Sequence, residues 1–522
     1  MDDHVHGDAA RPSHSVPLLK PSLKMGRPLH SSDRYGPPRS GPRAPSSHQN
    51  LLACKGVSRM NRRELLNRLI ATATIATLPA RACASPAAPS LSIGTANGPT
   101  IPRDYVGLSY EAAQFANPDF FSAANTTLIA LFKGLSPDGV LRIGGGSSEF
   151  TRYSETDAAG PPPFEVFGPD TSKTVKHGTV TTARALRNLR GFLDAAGWTC
   201  IWGLNFGQGS QENAVAEAVA VHRILGSRLL LLQIGNEPDS FRNHYRPATW
   251  TPTDYLREWN GFHTAIAAAV PGVRFAGPDI SNKLDYLTAF AAEAPRHPDV
   301  VMLTGHYYAM GPAGRPEATI AQLMEPDPST TTMRMDRVPV VQAAVQASGL
   351  PFRISEGNSC WNGGQPGVSD TLASALWCAD KMLRFAQFGW IGVNWHGGGN
   401  GLYSPIVGAP STGFSKRPEY YGIQFAQMLT GATFLPARLD GVGRLVNAYA
   451  LERAGTRQVA LFNKDLTPVT LTLPAMTTGD AHLLTGPDRA AKDARLVAIR
   501  MTPQRTVTLP AHSALLLTLD SV

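Results

Sequence analysis

From residue 105 to residue 399 the chain repeats one hydrophobic pattern: a short apolar run with little polar alternation, then a longer segment with apolar positions at helical spacing. Runs of the first kind suit strands covered on both faces, the condition of a parallel sheet flanked by helices. They fall at 105–111, 140–147, 199–207, 229–238, 274–280, 301–308, 351–359 and 390–399. Helical patterns follow near 122–134, 181–196, 212–225, 251–269, 282–295, 334–348, 369–388 and 417–430. The clearest is the seventh, where Leu372, Leu376, Ala379, Leu383 and Ala386 recur on one face behind a Ser369 cap and before a Gly389 stop. Eight consecutive pairs predict an α/β fold, a (β/α)8 or TIM barrel over 105–431. An open doubly wound sheet is the alternative. Against it, Gly144-Gly145-Gly146 lacks the spaced third glycine of a dinucleotide fingerprint, and no helix follows at once.

Beyond residue 431 the pattern shortens to alternating runs at 445–451, 458–463, 469–473, 482–484, 496–500 and 513–519. These predict an all-β sandwich over 432–522, packed on the barrel. Residues 89–96 alternate in the same way, so the segment 85–104 is expected to lend that module an N-terminal strand. Residues 1–59 are rich in Pro, Ser, His and Gly and cannot bury enough apolar surface to fold. After them, Asn61-Arg62-Arg63-Glu64-Leu65-Leu66, the apolar stretch 69–78 and Ala82-Cys83-Ala84 resemble a twin-arginine export signal with its cleavage site, and Met60 stands where a start codon would. The expectation is a leader over 1–84 and a chain exported to the periplasm or medium; an ordinary N-terminal helix is the other reading. No run long enough to span a membrane follows.

Charge changes the picture once it is divided. The formal net charge is +8, from 48 Lys+Arg and 40 Asp+Glu, but residues 1–84 hold 13 and 5 of these, which leaves 48 − 13 = 35 and 40 − 5 = 35. A neutral body gives no support for a nucleic-acid partner. The body keeps Cys200, Cys360 and Cys378, an odd number without C-x-x-C spacing, so neither a disulfide framework nor a zinc site is indicated. A single bridge, for example Cys360 to Cys378, stays open. No metal and no other cofactor is expected.

Barrels of this type carry their chemistry at the C-terminal strand ends. Those ends are polar here: Glu111, Gly144 to Ser147, Asn205, Asn236, Glu237, Asp279, His306, Tyr307, Tyr308, Glu356, Asn394, Trp395 and His396. Glu237 closes the fourth apolar run at Pro238, and Glu356 ends the seventh before Gly357 and Asn358. Two strand-tip carboxylates facing one mouth can divide glycosidic-bond hydrolysis: about 5 to 6 Å apart, one attacks the anomeric carbon and the other protonates the leaving oxygen. Their mutual repulsion keeps the acid protonated. Asn236 could bind the hydroxyl beside the reacting carbon, a tyrosine of the sixth strand could hold the nucleophile ionised, and Trp395 offers a ring for a sugar face, with a core tryptophan as the plain alternative. Tyr307 and Tyr308 point to opposite sides, so one of them can face the pocket. No H-E-x-x-H, G-x-S-x-G or phosphate-binding loop suggests another enzyme class.

Asn236-Glu237-Pro238 and Glu356 resemble the acid/base and nucleophile of the large retaining clan of barrel glycosidases. Leu141-Arg142-Ile143-Gly144-Gly145, Gln233-Ile234-Gly235-Asn236-Glu237, His306-Tyr307-Tyr308 and the run from Ser355 through Gly363-Gly364 to Ser369-Asp370 resemble, more narrowly, family 79 of the glycoside hydrolases, which holds β-glucuronidases and heparanase-like enzymes. The likeness spans roughly residues 89–520. It implies a retaining β-glucuronidase with a carbohydrate substrate, Glu237 as acid/base and Glu356 as nucleophile. It further implies that Glu111 and Asn236 bind sugar hydroxyls, that Tyr307 supports the nucleophile, and that Tyr403 with Trp361, Gly363 and Gly364 lines the uronate carboxylate. The family commonly has Tyr at Trp361 and a further Gly at Asn362. No Arg or Lys stands in that loop, so the carboxylate would be met by the Tyr403 hydroxyl, the Trp361 indole N–H and backbone amides. A retaining enzyme for a neutral sugar and a non-catalytic carbohydrate-binding barrel are the rival readings.

Overall fold

The computed structural model describes residues 88–156, 163–167, 173–242, 244–329, 335–397 and 401–520. The leader and export signal lie outside the described residues, as do the last two predicted residues of the eighth strand. Eight parallel strands close into a barrel in chain order: β1 Val106–Glu111, β2 Val140–Gly144, β3 Thr199–Leu204, β4 Leu229–Ile234, β5 Phe275–Ile280, β6 Val300–Met310, β7 Phe352–Cys360 and β8 Val393–His396. Each of the first seven is followed by one main helix before the next strand: Thr126–Leu135, Ala183–Ala196, Gln211–Leu225, Pro252–Ala269, Leu284–Glu293, Val338–Ser348 and Leu372–Gln387; Pro418–Gln427 follows β8. Several starts are set by side-chain caps, as in the Thr251–Asp254 capping box and at Ser210 and Thr182. One expected cap is corrected. The seventh helix begins at Leu372 behind Thr371, because the Ser369 hydroxyl is engaged by Ser359 and the Gln365 amide.

Inside the barrel, period-2 alternation stacks side chains in layers. Val140, Ile201, Leu231, Ala276 and Met302 form a separate apolar cluster at one level. Two residues further along β2, β4 and β6 come Arg142, Gln233 and Thr304, all fully buried. The middle of the barrel is therefore polar, where such cores are usually branched and apolar. The next step brings His306 and, after it, Tyr308 toward the open end.

The β-sandwich has a six-stranded sheet, in the order Thr433–Leu435, Val446–Arg453, Thr456–Asn463, Ser513–Leu519, Thr477–Thr485, Arg495–Arg500. A four-stranded sheet, Ala437–Asp440, Ser90–Ile93, Val469–Thr472, Thr506–Leu509, covers it, and its second strand comes from the N-terminal segment. The middle strands of the larger sheet are apolar on both sides because both are used. Val459, Leu461, Leu515 and Leu517 face the smaller sheet, while Ala460, Phe462, Ala514 and Leu516 join the barrel's core. Cys200, Cys360 and Cys378 are free and buried, so no bridge joins Cys360 to Cys378. Among the described residues no helix is long and apolar enough to cross a membrane.

Phe462 is fully buried, 5.5 Å from Phe425 on the last barrel helix and 5.9 Å from Tyr449. Phe462→Ala should cost about 3–5 kcal/mol through lost contact and the cavity left behind. The solvent-facing Val497→Thr should stay within about 0.5 kcal/mol of the parent, and paired chemical-denaturation curves check the difference.

Candidate active site

The C-terminal strand ends open on a cavity of about 560 Å3. Strands β1, β6, β7 and β8 supply Glu111, Tyr308, Glu356 and His396; the turns after β4 and β5 supply Glu237 with Ser240, and Ser281; the loops after β7 and β8 supply Trp361, Asn362 and Gly363, and Gly401 and Tyr403. Both strand-tip glutamates thus face one space. An oxygen of Glu237, a ring nitrogen of His306 and an oxygen of Glu356 lie within 4.8 Å of one another. Nearest oxygens at this distance are compatible with the roughly 5 to 5.5 Å carboxyl separation of retaining pairs.

Beneath the cavity sits Arg142. Its Nη1 donates to Glu356 Oε2 (2.6 Å) and Ser109 Oγ (3.2 Å); its Nη2 donates to Asp279 Oδ2 (2.6 Å) and Asn236 Oδ1 (2.8 Å); Nε reaches Gln233 Oε1 at 3.4 Å. Asp279 also accepts from Gln233 Nε2 (2.7 Å) and the Ser355 hydroxyl, and His306 Nε2 lies 3.3 Å from it. The other ring nitrogen of His306, Nδ1, is 2.8 Å from Glu237 Oε1. His396 contacts both remaining acids, with Nδ1 3.6 Å from Glu356 and Nε2 3.5 Å from Glu111, which also accepts the Ser147 amide at 2.9 Å.

This arrangement drives the two glutamates apart in acidity. Burial alone would raise Glu356, but His396, His306, Arg142 and the Tyr308 hydroxyl outweigh it and hold the carboxyl at about 2. Glu237 moves the other way: burial raises it, the negative charge of Glu356 adds to the rise, and His306 offsets only part. His306 itself is pushed well above its ordinary value because Asp279, Glu356 and Glu237 outweigh its burial. Glu356 is thus the more acidic of the pair, and Glu237 the one that holds its proton more tightly. Glu356 accepts Arg142 on one oxygen and Tyr308 on the other.

Of the residues expected from sequence, Glu111, Glu237, Tyr308, Glu356, Trp361, Gly363 and Tyr403 reach the cavity. Four stand elsewhere. Tyr307 is corrected to Tyr308, whose hydroxyl donates to Glu356 Oε1 at 2.8 Å; Tyr307 is fully buried against Trp377 and Phe385, on the outer face of β6. Trp395 is likewise a core residue, 5.1 Å from Trp377 and without exposure, so it offers no ring to a sugar. Asn236 is almost wholly buried and does not line the cavity; Arg142 holds its carboxamide oxygen. Gly364 is a packing position: at φ +91°, a Cβ there would stand 2.9 Å from the Tyr403 amide nitrogen, so glycine lets the loops after β7 and β8 touch. Arg142 and Glu149 were missed as site residues, although Arg142 is the odd residue in an otherwise apolar strand.

No family model matches the chain. It is 25% identical over 346 residues to a β-glucuronidase of Aspergillus niger, covering 61% of this chain and 62% of that one. It is also 25% identical over 362 residues to a β-glucuronidase of Neurospora crassa, covering 62% and 63%. The chain thus matches somewhat under two thirds of each relative's length. Among solved structures, a 4-O-α-L-rhamnosyl-β-D-glucuronidase from Fusarium oxysporum superposes with TM-score 0.62 at 18% identity, over 82% of this chain and 99% of that one. A family 51 arabinofuranosidase from Xanthomonas axonopodis gives 0.58 at 16%, over 83% and 100%. These likenesses show the fold: barrel and sandwich together form a scaffold shared with glycosidases, and the chain is a distant homologue of β-glucuronidases.

Two predictions follow from the geometry. Tyr308→Phe removes a hydrogen bond to an ionised group, worth about 1.5–3 kcal/mol, so kcat should fall roughly 10- to 100-fold. Tyr307→Phe, changing only a core ring, should keep a near-parental kcat; steady-state kinetics on both variants distinguishes the two tyrosines. In Glu356→Gln the negative neighbour of Glu237 is gone, so the pKa of Glu237 should fall, and a carbon-detected NMR titration of its carboxyl reads the direction.

Proposed function

We propose that this chain, a distant homologue of the β-glucuronidases, is a retaining β-glycosidase whose preferred glycone is β-glucuronic acid. The observation that carries the reaction is the pair itself: two strand-tip glutamates with oxygens inside 4.8 Å and acidities driven in opposite directions by separate partners. Glu356, ionised and oriented by Arg142 and Tyr308, attacks the anomeric carbon. Glu237 gives its proton to the departing oxygen, and the glycosyl ester forms as the aglycone leaves. Glu237, now a carboxylate, takes a proton from water, which attacks the same carbon and frees Glu356 with the β configuration kept. Activity should fall as pH rises through the pKa of Glu237 and as it drops toward that of Glu356.

The glycone assignment draws on the cavity wall as well as on the relatives. Trp361, Tyr308 and Tyr403 cluster on the Glu356 side, with ring centroids 6.4 and 6.5 Å from Tyr308. The Tyr403 hydroxyl, the indole N–H of Trp361 and the amides of the Asn362–Gly363 turn are the donors available to a uronate carboxylate. Asn362 and Gly363 both have positive φ, +58° and +84°. Among the described cavity residues none is Lys or Arg, which favours a neutral sugar as the second reading. The deciding experiment is the ratio of kcat/KM for nitrophenyl β-glucuronide over the matching β-glucoside, with the first-formed anomer followed by proton NMR. A ratio well above one and a β-anomer product are expected, and Tyr403→Phe should lower the ratio. A ratio at or below one would remove the uronate assignment, and an α-anomer would remove retention.

A further inference from the structure

Glu149 is a buried carboxylate that the reaction above does not use. It lies in the short turn after β2 and is 1% exposed, away from the cavity walls. One oxygen accepts the backbone amide of Asn236; the other accepts those of Phe206, at 2.9 Å, and Gly207. Those amides belong to two different strand tips, the ends of β4 and β3. Burial raises Glu149 to about 7 even against three amide donors.

The same β3 tip is gripped from its other side. Arg246 donates to the carbonyls of Phe206 (3.0 Å) and Gly207 (2.9 Å), and its guanidinium stands over the rings of Phe206 and Trp250, 5.3 Å from each. The peptide group joining Phe206 to Gly207 therefore sits between a guanidinium on its carbonyl and a carboxylate on its N–H. Such alignment polarises the group and stiffens the tip.

What this frame holds is one residue away. Glu237 adopts φ +51° and ψ +51°, a left-handed conformation that a glutamate takes at a cost of about 1–3 kcal/mol. Conformations of that kind persist only where neighbours over-determine them. The two amides that lead into the strained residue are both anchored: that of Asn236 by Glu149, and that of Glu237 by the carbonyl of Asp279 at 2.9 Å. We propose that Glu149 is a positioning residue for the general acid: by pinning the Asn236 amide to the tip of β3, it holds Glu237 in the left-handed conformation that aims its carboxyl at the leaving-group oxygen. The proposal rests on the acid/base reading of Glu237.

The test is a leaving-group series, because a misplaced acid matters only where proton donation matters. In the glycone series that the parent turns over, kcat/KM is measured from dinitrophenyl through nitrophenyl and phenyl to an alkyl glycoside. Glu149→Gln keeps the shape but sets an NH2 group against a backbone N–H. It should lose no more than about threefold on dinitrophenyl and more than about tenfold on phenyl and alkyl substrates, within the 10²–10⁴ range that general acids contribute. Arg246→Gln, which loosens the same peptide from the other side, should steepen the series less, and it carries the test if Glu149→Gln does not fold. A uniform loss across the series, or the parental slope in both variants, would overturn the proposal. Glu237→Gln run beside them separates the two claims: if it keeps the parental slope, Glu237 is not the acid; if it steepens while Glu149→Gln and Arg246→Gln do not, only the positioning role falls.

Discussion

The active end of this barrel depends on one buried guanidinium. Arg142 occupies a level where an apolar side chain would normally fill the barrel, and it has no access to solvent. A charge in that position is tolerable only if it is paired and hydrogen-bonded. The pairing is supplied by Glu356 and Asp279, and the remaining donors go to Ser109, Asn236 and Gln233. Breaking a buried pair of this kind costs about 3–5 kcal/mol, chiefly because the survivor is left uncompensated. Each strand that contributes a partner is thereby locked in register at the point where the chemistry occurs. Stability and nucleophile orientation come from the same contacts.

Counting charge around Arg142 explains why the two glutamates differ. Arg142, His306 and His396 favour positive charge, and Asp279, Glu356 and Glu111 favour negative charge. A negative charge on Glu237 is opposed by burial and by Glu356 and only partly offset by His306, so Glu237 holds its proton more tightly than Glu356 does. In the reaction proposed above, esterification of Glu356 would remove its negative charge and with it a force that raises the pKa of Glu237. In that proposed reaction the change favours Glu237 turning from acid to base.

Much of this was legible in the chain because barrel strands alternate inside and outside. The eight apolar runs, the two strand-tip glutamates and the change of pattern after residue 431 are local signals. The misplacement of Tyr307 and Trp395 is instructive because the signal was present. Thr304, His306 and Tyr308 share one parity on β6, as do Asn394 and His396 on β8; polar residues at that parity mark the inner face, so Tyr307 and Trp395 belong outside. The register shift between Gly305 and His306 in the pairing with β7 puts the extra residue, Ser355, on β7, so the parity of β6 is unchanged. Glu149 carried no such mark. Its meaning comes from the Asn236 amide 87 residues away, and nothing in its own turn distinguishes it from a surface acid.

The division of labour between barrel and loops follows from the same geometry. The groups proposed to cleave the bond rise from β4, β6 and β7 and are tied to one another through the barrel interior. Groups that would select the sugar sit on the loops after β7 and β8, joined by close backbone contact at Gly363, Gly364 and Gly401. A change of side chain at Trp361 or Tyr403 can alter the C6 side of the cavity without moving Arg142 or either glutamate. One scaffold can therefore be shared by enzymes described as acting on glucuronides and on arabinofuranosides, since the fold fixes the reaction centre and leaves substrate choice to a few loop positions. For this chain the consequence is asymmetric: evidence on the catalytic pair bears little on the glycone, and the glycone must be read from the Trp361 to Tyr403 wall.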